Sequence, residues 1–246
     1  MGYSDWDISG NGTDVRYDNS SISPPLSSGV YGSHCRRLDA NGNYRNLAIK
    51  NTVASGAFSA ISATQALQLE ITVRSVIHET WENNFFMGAY TKNVSILGPS
   101  SEVGYLLGLY YDGSGGYVVA YLNNGCWYQF YWPGNPGPGP FFGDWQSLRL
   151  DVAVSGTTHI LKVYSEFATS GPYKPEPGNG NWVQGNTVHG GGNNTDITIV
   201  GGNEIHIPNT APAYAGYNAN SRSGVYCGGG STPAGGMVDG FKITLL

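Results

Sequence analysis

The sequence predicts an all-β chain, a two-sheet antiparallel β-sandwich with little or no helix, and three observations predict it. Apolar residues alternate with polar ones at period two in several short runs, no window carries a helical stripe bounded by caps, and 37 glycines and 13 prolines among 246 residues punctuate the runs with turns. Alternation gives a strand one core face and one wet face, and many short strands of this kind hide their edges best as two stacked sheets. About a dozen strands of about five to six residues each are expected. With no linker to divide it, residues 1–246 are read as one domain.

The elements follow in order. Leu67, Leu69, Ile71 and Val73, with Gln68, Glu70, Thr72 and Arg74 between them, form the clearest half-buried strand. A hairpin is expected from Tyr105–Tyr111 across Asp112-Gly-Ser-Gly-Gly116 to Tyr117–Leu122, and another across Asn123-Asn-Gly125 into Cys126–Trp132. Leu148, Leu150, Val152 and Val154 make a further strand, which Ser155-Gly-Thr-Thr158 turns into Ile160–Tyr164. Tyr214–Tyr217 and Met237–Leu246 read as two closing strands, the second alternating at Phe241, Ile243 and Leu245. Two long loops are expected, near 133–140 and 169–194; loops of such length are functional or disordered in a compact fold.

Composition excludes several function classes. Only 12% of the residues are charged, the formal net charge is -5 and the isoelectric point is near 5.4, so there is no basic field for nucleic acid or an anionic membrane. Met1–Asp7 lacks the basic and apolar regions of a signal peptide, and no apolar run is long enough to span a bilayer. Cys35, Cys126 and Cys227 are an odd set without C-x-x-C spacing and read as free thiols.

Trp145 ahead of the Leu148–Val154 strand, and Val238-Asp-Gly-Phe-Lys-Ile243 as a closing strand, resemble the concanavalin A-like, laminin G-like jelly-roll superfamily, of the kind found in bacteriophage structural proteins. An echo stands at Trp6 and Ser9-Gly-Asn-Gly12. The resemblance implies that Trp6 and Trp145 are core residues. It also implies that the first and last strands share a sheet, with Ile8 and Val15 near Phe241–Leu245. It says little about activity, because that sandwich serves lectins, glucanases and inert modules alike.

Catalytic signatures are missing. Glycoside hydrolysis needs two carboxylates facing one another, about 5 to 5.5 Å apart for retention. The superfamily's glucanases carry them in an E-x-D-x-x-E strand, which is absent here. Glu79 and Glu82 are spaced to opposite faces of a strand, and Glu204-Ile-His206 is the nearest approach to the Q-[IV]-H strand of alginate lyases. His34, His78, His159, His189 and His206 have no partners at metal-ligand spacing. No cofactor is expected; calcium, which takes oxygen ligands from loops, is the ion this composition leaves open.

Binding is better served. Cys126–Trp132 sets Trp127, Gln129 and Tyr131 against Tyr128, Phe130 and Trp132, so aromatics occupy both faces of one strand. One set fills the core, and the other is a platform for sugar rings or for another subunit. Trp127, Tyr128, Tyr131 and Trp132, with Tyr173 and Trp182 from the second long loop, are therefore the candidate contact residues; no catalytic and no metal-binding residue is expected. Low charge, no export signal and a Gly/Asn/Ser/Tyr-rich surface together point to a non-enzymatic structural or adhesive module of a bacteriophage virion (capsid decoration, fibre or tail-associated), made in the host cytoplasm. Its partners would be other virion proteins, its own copies or surface glycans. The alternative is a carbohydrate-binding, lectin-like protein; a polysaccharide hydrolase or lyase ranks last.

Overall fold

The computed structural model describes residues 6–10, 15–17, 36–41, 45–49, 66–75, 84–91, 104–111, 116–122, 125–132, 145–170, 174–192, 195–215, 222–228 and 233–246. Among these there are seventeen strands and no α-helix. In chain order they are β1 (Trp6–Gly10), β2 (Val15–Tyr17), β3 (Arg36–Asn41), β4 (Arg45–Ile49), β5 (Leu67–Ser75) and β6 (Asn84–Thr91). Then come β7 (Tyr105–Tyr111), β8 (Gly116–Tyr121), β9 (Trp127–Tyr131), β10 (Gln146–Ser155), β11 (Thr158–Glu166) and β12 (Trp182–Gln184). The last five are β13 (Asn186–Gly191), β14 (Thr198–Val200), β15 (Glu204–Pro208), β16 (Arg222–Gly228) and β17 (Pro233–Leu245).

They form two antiparallel sheets. One has eight strands in the order β1-β4-β16-β6-β7-β8-β9-β13; the other has nine, β14-β15-β11-β10-β5-β17-β3-β2 with β12 paired to β11 beside that path. Each sheet draws strands from early and late in the chain. The expected all-β, two-sheet antiparallel sandwich is thus the one observed, with more strands than the dozen foreseen.

Alternation builds the core between the sheets. Leu67, Leu69, Ile71, Leu148, Leu150, Val152, Leu161 and Val163 of the nine-stranded sheet meet Tyr105, Leu107, Leu109, Ala120, Tyr128 and Phe130 of the eight-stranded one in a single buried cluster. A fully buried leucine or isoleucine side chain contributes about 1.5 to 3 kcal/mol. The intervening Gln68, Glu70, Arg149, Asp151 and Lys162 face outward, as the period-two reading requires. The hairpins also stand where expected: β7 pairs β8, β8 pairs β9, and β10 returns as β11 with Ser155 opposite Thr158. Gly156 takes φ +60° in that two-residue turn, a conformation glycine adopts without steric cost.

A buried polar knot ties the chain after β15 to this core. His159, without solvent exposure, stacks on Tyr214 with ring centroids 4.3 Å apart. Its Nδ1 lies 2.8 Å from the Tyr105 hydroxyl, which also accepts the Ala215 N–H at 3.1 Å. The alternation of β11 alone would put an apolar residue at position 159. The imidazole is tolerated because it has a hydrogen-bonding partner.

Several expectations are corrected. Tyr214 and Ala215 lie in no strand: the run turns at Ala211–Tyr214, where Ala211 N–H bonds Pro208 O and Tyr214 N–H bonds Ala211 O. Burial also pushes the Tyr214 phenol above its usual pKa. The expected loop at 169–194 contains β12 and β13. Strand β1 pairs β4 in the eight-stranded sheet, so Ile8 does not neighbour Phe241–Leu245; β2 does share the sheet of β17, with β3 between them. Trp145 is half-buried rather than a full core residue. The Trp6 side chain, the 133–140 loop, Glu79, Glu82, Cys35, His34 and His78 lie outside the described residues or side chains.

Candidate functional site

Strand β9 sorts its aromatic residues cleanly. Tyr128, Phe130 and Trp132 are 0%, 2% and 6% exposed and belong to the core cluster, whereas Trp127 and Gln129 are half-buried and Tyr131 is 43% exposed on the opposite face. Tyr128 and Trp132 are therefore not surface contact residues, which corrects that expectation. Trp132 donates its indole N–H to Val183 O at 2.8 Å and packs edge-on against Phe167; Tyr128 meets His189 edge-on. Seven aromatic-rich residues cannot all face water, and the sandwich takes the alternate set inside.

The outward set is extended by its neighbours in register. Tyr121 lies opposite Trp127 on β8, with ring centroids 6.2 Å apart, and β13 sets Val188 opposite Gln129 and Asn186 opposite Tyr131. Val188 is 42% exposed. Further inward on the same face, Leu106 and Val119 point away from the core cluster and are nevertheless buried, so among the described side chains the open part of the face is that of β9 and β13. Tyr131 is four steps along the strand from Trp127, about 13 Å at about 3.3 Å per residue. Trp127, Gln129, Tyr131, Asn186 and Val188 thus present two rings, two amides and an aliphatic group, with no carboxylate, amine, guanidinium or imidazole among them. Rings of this kind stack on the C–H faces of a sugar, and amides both donate to and accept from its hydroxyls.

Trp127 has a particular seat. Between His189 and Gly191 the register of β13 with β9 shifts by a bulge, and the indole lies against the glycine backbone there. A Cβ on Gly190 would fall 2.0 Å from Trp127 Cζ3, and one on Gly191 would fall 2.6 Å from Nε1. Sequence reasoning missed Gly190 and Gly191 because His189-Gly-Gly-Gly192 read as part of a loop. Val188 and Asn186 were missed for the same reason.

Trp182 belongs elsewhere. It opens β12 opposite Glu166, and the Arg149 guanidinium carbon lies 3.9 Å from the Tyr164 ring centroid and 5.2 Å from that of Trp182. Arg149 Nε is 3.1 Å from Asp151 Oδ1, and Gln68 donates to the same Asp151 oxygen at 2.9 Å. Trp182 therefore sits with the outward side chains of the nine-stranded sheet, and the structure does not bring it to Trp127. Its segment is fixed by the buried Glu166 carboxylate, which accepts the N–H groups of Gly178 (2.8 Å) and Gly180, while Asn179 and Asn181 amides donate to Phe167 O. Tyr173 lies outside the described residues.

Glu204 and Cys126 have partners of their own. Glu204 accepts from Lys162 at 2.6 Å and lies 3.0 Å from His206 Nε2. The hydrogen bond from Lys162, then that from His206, hold the Glu204 carboxyl below the usual range; the same bond raises Lys162. Cys126 Sγ is 3.9 Å from His189 Nε2, and burial pushes this thiol up, so it is a poor nucleophile. Among the described residues no group of three or more His, Cys, Asp and Glu side chains is placed to hold a metal ion.

No protein-family model matches the chain, and no curated protein sequence matches it. Solved structures resemble it at low identity. The lumenal domain of VIP36 in its Ca2+/Man3GlcNAc-bound form is 11% identical, with 98% of this chain and 84% of that one covered at a TM-score of 0.49. Peanut lectin is 9% identical, with 100% and 94% covered at 0.46. An alginate lyase from a Chlorella virus is 9% identical, with 99% and 94% covered at 0.36. At TM-scores this low the likenesses carry no argument, and the sandwich rests on its own strand order and register.

Proposed function

We propose that this protein binds carbohydrate without turning it over, through the open outer face of β9 and β13. The observation that carries the reading is the row Trp127, Gln129, Tyr131. It sets two partly exposed rings and one amide on one side of a strand whose other side is locked into the core. A platform on a strand between paired neighbours is held in position before a ligand arrives, which lowers the ordering cost of binding.

The test is retention of the purified protein on a panel of immobilised polysaccharides, with calcium and with chelator, while released products are assayed. Saturable retention without products, weakened about tenfold by Trp127→Ala or Tyr131→Ala, is the expected result. Reducing ends or unsaturated products released by pure protein would refute the non-enzymatic part.

The exposure of Tyr131 and Val188 also suits burial against protein, and this favours a second reading, an assembly module of a virion made in a host cytoplasm. A flat polysaccharide panel together with a defined oligomer that Tyr131→Ala dissociates would move the conclusion there.

A further inference from the structure

We infer that the Gly190–Gly191 bulge is the element that sets the plane of Trp127, and that the site so formed takes an uncharged oligosaccharide laid along β9. This inference rests on the carbohydrate-binding reading above. Indole and backbone are in contact at this place: a methyl group on Gly190 would overlap Cζ3, Cε3 and Cη2 of the indole at 2.0 to 2.5 Å, so only glycine lets the ring lie down on β13. Gly190 has no positive φ, so the requirement there comes from the ring and not from backbone strain. The bulge matters as well, because it leaves Gly190 unpaired and bends β13 at that place. With one face against β13 and Tyr121 on its flank, the indole is held in a fixed plane.

The ligand class follows from the same surface. Trp127 and Tyr131 stand about 13 Å apart along the strand, so a sugar ring stacked closely on one, at about 4.5 Å, leaves the other to a further ring of a chain. Among the described residues, the side chains between and beside them are the Gln129 and Asn186 amides, Val188, Val119 and Tyr121. A carboxylate on a uronic acid would find no cation among these described residues to offset its lost hydration. A chain of neutral sugars, which exposes hydroxyls and C–H faces, finds partners for both.

The test compares wild type, Gly190→Ala, Trp127→Ala and the double variant Gly190→Ala with Trp127→Phe. Probes are neutral polysaccharides (mixed-linkage β-glucan, galactomannan, arabinan) and uronic-acid ones (alginate, pectate). The expected result is retention by a neutral probe, weakened about tenfold both by Trp127→Ala and by Gly190→Ala. Gly190→Ala should keep the wild-type melting midpoint and change the near-ultraviolet tryptophan signal. The double variant should recover part of the retention, because the smaller ring accommodates the methyl group. That recovery also separates a displaced ring from a misfolded protein. Loss of retention with Trp127→Ala but not with Gly190→Ala overturns this inference and leaves carbohydrate binding standing. Retention by alginate or pectate alone overturns the ligand class. No retention by any probe overturns both readings.

Discussion

His159 and Tyr214 stack within 4.3 Å of each other in the core, and the Tyr105 hydroxyl touches both sides of this contact, at His159 Nδ1 and at Ala215 N–H. One oxygen therefore fastens the segment after β15 to the sheet opposite. Tyr105→Phe should destabilise the protein by about 1 to 3 kcal/mol, since it deprives two buried polar groups of this partner while leaving the ring volume almost unchanged. Urea denaturation of the two proteins checks it; an unchanged midpoint would contradict the assignment.

The Glu166 carboxylate holds two backbone N–H groups of the 178–180 turn from a position 2% exposed. Glu166→Gln turns one acceptor oxygen into a donor facing another donor. A loss of about 1 to 3 kcal/mol in denaturation is expected, with a red shift of Trp182 emission as its segment loosens. Retention at the β9 face should be unaltered, because Trp182 lies with the other sheet.

The ion pairs at Glu204 predict a pH dependence. Its folded pKa is lowered, so its contribution is present above the ordinary carboxylate value and is lost as pH falls through the folded one. The Lys162 pKa is raised, so its share is present below the ordinary lysine value and is lost as pH rises through the folded one. The stability difference between wild type and Glu204→Gln should thus be flat from about pH 5 to about pH 10 and should shrink on either side. Both side chains are partly solvated, and the plateau should be only a few tenths to about 1 kcal/mol. Thermal melts across the pH range measure it.

Two glycines separate conformational from steric cost. Gly156 has φ +60° with open space around it, whereas Gly192 has φ +88° and a Cβ there would stand 2.6 Å from Cys126 Cα. Gly156→Ala should cost about 1 to 2 kcal/mol, the price of a left-handed backbone for an ordinary residue. Gly192→Ala should cost clearly more, because backbone cannot swing aside as a side-chain tip can. Equal midpoints for the two variants would refute the contrast.

The sheets were legible wherever one face of a strand is wet. Leu67–Val73 and Leu148–Val154 show the core and the solvent in alternate letters, and the Ser155–Thr158 turn announces its hairpin. The alternation of β9 likewise exposed both sets of aromatics, yet letters alone cannot say which set faces in; the register with β8 and β13 decides it. Strands β12 and β13 were hidden because Trp182–Gly191 mixes Gly, Asn and polar residues, and β13 is an end strand with little apolar burial to write into its sequence. The seat of Trp127 was invisible for a related reason. Glycine at positions 190 and 191 resembles a turn signal, and its function is a contact with Trp127, far back in the chain. Tyr214 misled in the opposite sense, since its ring serves a stack on His159 and the residue lies in no strand.

The placement of β17 has a consequence for how the molecule is made. It lies between β5 and β3, pairing with the first through Gly236–Leu245 and with the second through Pro233–Val238. Until those residues have emerged from the ribosome, the β14-β15-β11-β10-β5 ribbon and the β3-β2 pair are two unjoined pieces, each with a raw edge where the missing strand belongs. Partners so distant in sequence assemble slowly, and open edges invite pairing with other chains. Nascent chains halted before Pro233 should thus be the species that chaperones hold.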